Sequence, residues 1–149
     1  MITLKRTTSD NLDFQKLTRL FDEYLVDIDG DEKDFFAQYN QIYIAQVVIY
    51  YDNESAVGCG AFKQLELQVA EIKRMFVLPE QRGKGIALTI LNELESWAVS
   101  SGFISCVLET SIKLESALVL YKKAGYEVIP NYGQYINVES SVCMKKNVK

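Results

Sequence analysis

The sequence predicts a mixed α/β (α+β) fold: one central β-sheet flanked by helices on both faces, in the order β-α-α-β-β-β-α-β-α-β-β. Three observations carry that expectation. Three strand-like segments rich in β-branched and aromatic residues follow one another between Tyr43 and Leu78. Two apolar stripes at helical spacing then alternate with further strand-like runs, as in a sheet with crossover helices. A length of 149 residues, 1–149, leaves room for a single domain with a single core.

The elements follow in order. Ile2 to Thr7 alternates like a short strand, and Leu17, Leu20, Phe21, Tyr24, Leu25 and Ile28 recur at helical spacing. Gly30 and the acidic run Asp27 to Asp34 break that helix, and Phe35 to Gln41 reads as a short second one. Tyr43 to Tyr51 and Ala56 to Leu65 flank Asp52-Asn-Glu-Ser55, a hairpin turn, and Gln68 to Leu78 is the third strand of the series. Pro79 ends it. After Gly85, the stripe Ala87, Ile90, Leu91, Leu94 and Ala98 marks the clearest helix, which Gly102 stops. Phe103 to Thr110 is a strand, and Leu114, Ala117, Leu120, Tyr121 and Ala124 mark a helix ended by Gly125. Tyr126 to Ile129 and Val138 to Lys145 complete the sheet around an Asn/Gly/Tyr loop.

Composition excludes much chemistry. The chain has no histidine, which removes Ser-His-Asp and Cys-His nucleophiles, HExxH proteases and His-bearing zinc sites, so no metal is expected. Cys59, Cys106 and Cys143 are odd in number and widely spaced, as reduced core thiols are. A net charge of −4 lacks the basic footprint of nucleic-acid binding. No apolar run approaches the ~20 residues of a membrane span, and Met1 to Asn11 has no signal-like apolar region; a cytoplasmic protein is expected.

The turn Pro79-Glu-Gln-Arg-Gly-Lys-Gly-Ile-Ala87 joins a strand to a helix. Such a turn lets backbone N–H groups converge on an anion, with the helix dipole adding positive potential. It is neither a Walker loop nor GxGxxG.

Within that turn, Arg82-Gly-Lys-Gly85-Ile-Ala87 fits the pattern [Q/R]-x-x-G-x-[G/A], and here the chain resembles the GCN5-related N-acetyltransferases, the GNAT superfamily. Ala70-Glu-Ile-Lys-Arg-Met-Phe-Val-Leu-Pro79 resembles the family's fourth strand, and Ala117-Leu-Val-Leu-Tyr-Lys-Lys-Ala-Gly-Tyr126 its second conserved block. Val57-Gly-Cys-Gly-Ala61 stands where the family often has a similar string, and the likeness covers the chain from about Tyr43 onward. The resemblance implies that the strand at Glu71 to Leu78 splays from the strand at Phe103 to Thr110 and admits acetyl-CoA, as acetyl donor, between them. It places Met75, Phe76, Val77, Arg82, Gly83, Lys84, Gly85, Ile86 and Ala87 at the cofactor, with the pyrophosphate on the amides of Arg82 to Ala87. Where the family often carries Asn, or in some branches Gln, three residues before the alanine of the second block, this chain has Leu114, so the resemblance does not carry over the side-chain contact to the pantetheine arm, which backbone contacts could replace.

The resemblance also assigns roles. Tyr121, by spacing a core tyrosine, aligns with the residue that faces the CoA sulfur and would protonate the departing thiolate. Glu71 reads either as a solvated strand-end carboxylate or as the general base, with Glu109 the competing base or an acceptor contact. Arg82 and Lys84 read as surface cations or as partners of the cofactor's phosphates. The acidic run, Asp31 included, reads as a solvated loop or as the border of the acceptor site. Tyr132 and Tyr135 read as walls of that site or as a homodimer contact. The implied activity is acetyl transfer from acetyl-CoA to a primary amine without an acyl-enzyme. The acceptor is expected to be a cationic small molecule or peptide. The rival reading is a non-catalytic acetyl-CoA-binding sensor or interaction module.

Overall fold

The computed structural model describes residues 1–29 and 43–149. Its elements are β1 (Ile2–Thr7), α1 (Leu12–Asp29), β2 (Gln46–Asp52), β3 (Ser55–Glu66), β4 (Val69–Val77), α2 (Ile86–Ser100), β5 (Ser105–Ser111), α3 (Glu115–Lys123), β6 (Glu127–Ile129) and β7 (Ser141–Asn147). The helix expected at Phe35 to Gln41, and the acidic positions Asp31, Glu32 and Asp34, lie outside the described residues.

The seven strands form one sheet in the order β1-β2-β3-β4-β5-β7-β6. The pair β4–β5 is parallel and the other pairs are antiparallel, so the sheet is mixed. Asn53 and Glu54, both at positive φ, make the tight β2–β3 turn, whose twist matches that of paired strands. One face packs Phe62, Ala70, Ile72, Leu108 and Met144 against Ile90, Leu91 and Leu94 of α2 and Tyr121 of α3. The other packs Val47, Ile49, Cys59, Ala61 and Phe76 against Phe14 and Leu17 of α1.

Several boundaries differ from the sequence expectation, each for a local reason. The first helix starts at Leu12 because Asn11 Oδ1 accepts from the amides of Asp13 and Phe14 at 2.9 and 3.1 Å, an N-cap that precedes the apolar stripe. The second strand starts at Gln46, not Tyr43, because Ile44 is tied to Ser9 through both backbone groups. The last strand starts at Ser141, not Val138: Asn131 Nδ2 donates to the carbonyls of Tyr135, Val138 and Ser141 and holds that stretch as a loop. A buried polar tie joins α2 to the far edge of the sheet, where Glu95 accepts from Tyr126 Oη at 2.9 Å and from Lys146 Nζ at 2.8 Å.

Among the described residues no helix is long and apolar enough to cross a membrane, and no cluster of His, Cys, Asp or Glu has the makings of a metal site.

Candidate active site

The site follows from a parallel pairing that stops early. β4 and β5 pair only from Val69↔Ser105 to Ile72↔Leu108. Beyond that point β4 stays paired to β3 as far as Gly58↔Val77, and β5 stays paired to β7 as far as Ser111↔Ser141. The two strands therefore diverge, and a cavity of about 410 Å³ opens between them, within the size range of small-molecule and cofactor sites. Its walls come from β4 (Ile72 to Val77), the glycine turn, β5 (Leu108 to Ser111), α3 (Ala117, Leu120, Tyr121) and α1 (Phe21, Tyr24, Leu25).

A β-bulge shapes the β4 wall. Cys59 stands opposite Phe76 and Ala61 opposite Lys73, so β4 carries one residue more than β3 over this stretch. Arg74, in the bulge, has φ +58°, a conformation that costs a non-glycine residue ~1–2 kcal/mol. Its Nη2 donates to Thr18 O at 3.0 Å and to Asp22 Oδ1 at 2.8 Å, and its guanidinium lies 4.9 Å from the Phe21 ring. Bulges of this kind re-aim side chains beside active sites.

At the other end of the cavity, Gly83 and Gly85 have φ of +80° and +79°, and a Cβ built on either meets nothing within 4 Å. Gly85 is the N-cap of α2 and no side chain caps the helix. The first turn of α2 thus starts beside the cavity with no side-chain cap and with uncrowded glycines before it, and the positive end of the helix dipole there fits a phosphate group. Arg82 lines the cavity as well: its Nε donates to Val77 O at 2.9 Å, and its guanidinium lies against the rings of Tyr24 and Phe76. Lys84 donates to Gln81 Oε1 at 3.0 Å and is exposed outside the cavity wall. Of the other residues expected at the cofactor, Met75, Phe76, Val77, Gly83, Gly85, Ile86 and Ala87 all line the cavity.

Tyr121 is 6% exposed, sits edge-to-face with Tyr126, and lines the cavity. Its hydroxyl makes no hydrogen bond among the described residues. Burial, then the negative charge of Glu109, pushes its pKa above the ordinary phenol value, so the proton stays on the oxygen at neutral pH.

Glu71 is not the solvated strand-end carboxylate that the sequence left open. It is 2% exposed, because it lies inside the paired region, opposite Lys63 on one side and Val107 on the other. Tyr132 Oη donates to its Oε2 at 2.6 Å, and Lys73 Nζ lies 3.9 Å from its Oε1. Tyr132 therefore backs Glu71 from behind and is not part of the cavity wall, whereas Tyr135 is. Burial, then the Glu71 carboxylate, pushes the Tyr132 phenol well above its ordinary pKa. Glu109, on the next strand, accepts from Ser141 Oγ at 2.6 Å and also lines the cavity. The three cysteines are buried, and burial pushes Cys59 and Cys106 up to about 12 and Cys143 to about 11, away from nucleophilic thiolate.

Sequence reasoning missed Lys73, Arg74 and the α1 wall. A signal was there: the alternation Ala70-Glu-Ile-Lys73 is broken by a second consecutive cation at Arg74, as an inserted bulge residue would break it.

With this geometry in view, comparison with known proteins decides the family. A sequence model described as the acetyltransferase (GNAT) family matches residues 12–126. The chain belongs to the GNAT family. Among curated relatives, an IAA acetyltransferase of Azospirillum brasilense is 34% identical over 93 residues, 62% of this chain and 61% of that protein. The uncharacterized N-acetyltransferase YjgM of Escherichia coli is 34% identical over 104 residues, 68% of this chain and 62% of that one. The matches thus span about three fifths of the length of these relatives. A solved Klebsiella pneumoniae structure assigned as an acyl-CoA N-acyltransferase is 25% identical with a TM-score of 0.86, covering 100% of this chain and 99% of that one. The PaiA N-acetyltransferase of Thermoplasma acidophilum, solved in complex with coenzyme A, shares the fold at 19% identity and a TM-score of 0.71, covering 99% of each chain.

Proposed function

We propose that this GNAT chain is an N-acetyltransferase that moves an acetyl group from acetyl-CoA directly to a primary amine. The observation that carries the reading is the early end of the β4–β5 pairing, which leaves a cavity bordered by the glycine turn, Tyr121 and Glu71 together. The residues present fit the donor: a helix start without a side-chain cap and two positive-φ glycines at one end, apolar walls from Leu114, Ala117 and Leu120 along the middle. Acetyl-CoA supplies the activated thioester. The known structures of family members with coenzyme A or acetyl-CoA bound support the same assignment.

The chain's own groups divide the work. The backbone of the unpaired part of β4 offers N–H groups to the carbonyl oxygen as negative charge develops there. Tyr121 holds a proton for the leaving thiolate. Glu71, kept in place by Tyr132, takes the proton of the amine. A side-chain ammonium with a pKa near 10.4 is neutral in only about one molecule in 2,500 at pH 7, so that base has a task to perform. The absence of an activated cysteine or any histidine fits direct attack. The acceptor's primary amine arrives as an ammonium group, a reading supported by the net charge of −4 and by Glu109 on the cavity wall.

Thiol release from acetyl-CoA, measured across a panel of amines, is the test. Turnover with at least one amine is expected. Tight acetyl-CoA binding without release from any amine would favour the non-catalytic sensor or interaction module instead.

A further inference from the structure

Two neighbouring cations on the cavity wall have hydrogen-bond donors that the described residues do not use. Lys73 and Arg74 are consecutive in β4, and in a regular strand they would face opposite sides of the sheet. Here both face α1. Lys73 stands opposite Ala61, which packs with Phe14 and Leu17, and Arg74 reaches Thr18 and Asp22. The bulge has brought them to one face.

Arg74 has a side chain only 3% exposed, and Nη2 makes both of its hydrogen bonds; Nη1 is buried with no hydrogen-bond partner among the described residues. The Lys73 side chain is 6% exposed, and among the described residues its ion-pair partner, Glu71 Oε1, is 3.9 Å away, beyond hydrogen-bonding distance. Burial pushes its pKa down, with Lys63 and Arg74 acting in the same direction and Glu71 and Glu109 opposing them. Native structures seldom leave buried cationic donors without partners, and such groups call for an explanation. Both residues line the one cavity.

We propose that the acceptor amine also carries a carboxylate, which Lys73 and Arg74 receive, so that the acceptor is an amino acid or a similar zwitterion. The inference rests on the acetyl-transfer reading above and narrows its acceptor. A guanidinium edge beside an ammonium matches a carboxylate in shape and charge. The other charges facing this wall agree. Asp22, on α1, already pairs with Arg74, while Glu71 and Glu109 lie beyond Lys73 and favour the ammonium end of the ligand. A polyamine would instead press a second ammonium against two cations.

The test uses amino acids, each with its primary amide and its decarboxylated amine, and reads kcat/KM by thiol release. The acid is expected to exceed both relatives about tenfold or more, and Lys73→Gln to reduce that ratio by about tenfold through KM. Arg74→Gln also removes the bonds to Thr18 and Asp22, so Lys73→Gln, checked for folding by its melting curve, is the deciding variant. Amides and decarboxylated amines that match the acids in the parent, or an unchanged ratio in folded Lys73→Gln, would overturn this inference alone. Release from no amine of any kind would overturn the transferase reading and this inference with it.

Discussion

Replacing Gly85 by Ala separates what the glycine turn does for the fold from what it does for the ligand. At φ +79° an added Cβ is disfavoured by ~1–2 kcal/mol, which for a domain of this size lowers Tm by roughly 2–8 °C. No steric cost joins it, since the Cβ meets nothing within 4 Å. The open space is where a phosphate would sit, and loss of a charge-assisted bond there costs ~1.5–3 kcal/mol, or about 10- to 150-fold in acetyl-CoA affinity. Gly102 is the matched control. It has φ +98°, an equally open Cβ position, and a place at the opposite end of α2. Gly102→Ala should therefore lose comparable stability and no affinity. Calorimetric titration with acetyl-CoA, beside melting curves for both variants, reads both effects. Parent-like affinity in folded Gly85→Ala, or an equal loss of affinity in Gly102→Ala, would refute the phosphate assignment.

Tyr121→Phe should lower kcat about a hundredfold while leaving acetyl-CoA affinity nearly unchanged, and full turnover with the best acceptor would remove the phenol from the mechanism. Because burial and Glu109 hold that phenol protonated above its ordinary pKa, the parent's rate should not fall through loss of this proton below about pH 10. Glu71→Gln should slow turnover and change the pH profile, with Tyr132→Phe intermediate; a parent-like profile in Glu71→Gln would move the base to Glu109 or to solvent. Gly60→Ala should destabilise by overpacking, since its Cβ would lie 2.5 Å from Met75 Sδ and 2.9 Å from both Ile90 and Leu94. The expected loss is ~1–3 kcal/mol, roughly 2–12 °C in Tm, and an unchanged melting curve would show that α2 yields freely.

How legible all this was depended on how local the cause is. The strands, α2 and α3 follow from periodicity and from Gly85, Gly102 and Gly125, because these signals act within a few residues. The glycine turn was legible for the same reason. What escaped was set by partners distant in sequence. The start of β2 depends on Ser9 meeting Ile44, and the start of β7 on Asn131 reaching three carbonyls. Glu71 stayed open between a solvated strand-end carboxylate and a base because nothing local reveals that β5 covers it on one side and Tyr132 caps it. The resemblance to the family supplied Tyr121's role, which spacing alone would have assigned to the core.

The cleft is a property of the sheet's outer pairings, which hold β4 and β5 apart. β4 and β5 each have two neighbours. Where they part, each keeps its other neighbour, β3 through Cys59↔Phe76 and Gly58↔Val77, and β7 through Glu109↔Cys143 and Ser111↔Ser141. Closing the gap would break ladder bonds on one side to make them on the other, with no net gain. The inner edges of both strands therefore keep backbone groups outside the ladder, and buried groups of that kind need partners. A bound substrate can provide them without first displacing protein. The bulge adds a second constraint. Its extra residue turns β4 so that Phe76 stacks on Phe21 at 5.2 Å and Arg74 ties to Thr18 and Asp22, which fixes α1 as a wall of the cavity. These contacts fix β4 and α1 relative to each other, and alignment of the reacting groups is where such preorganisation acts on rate.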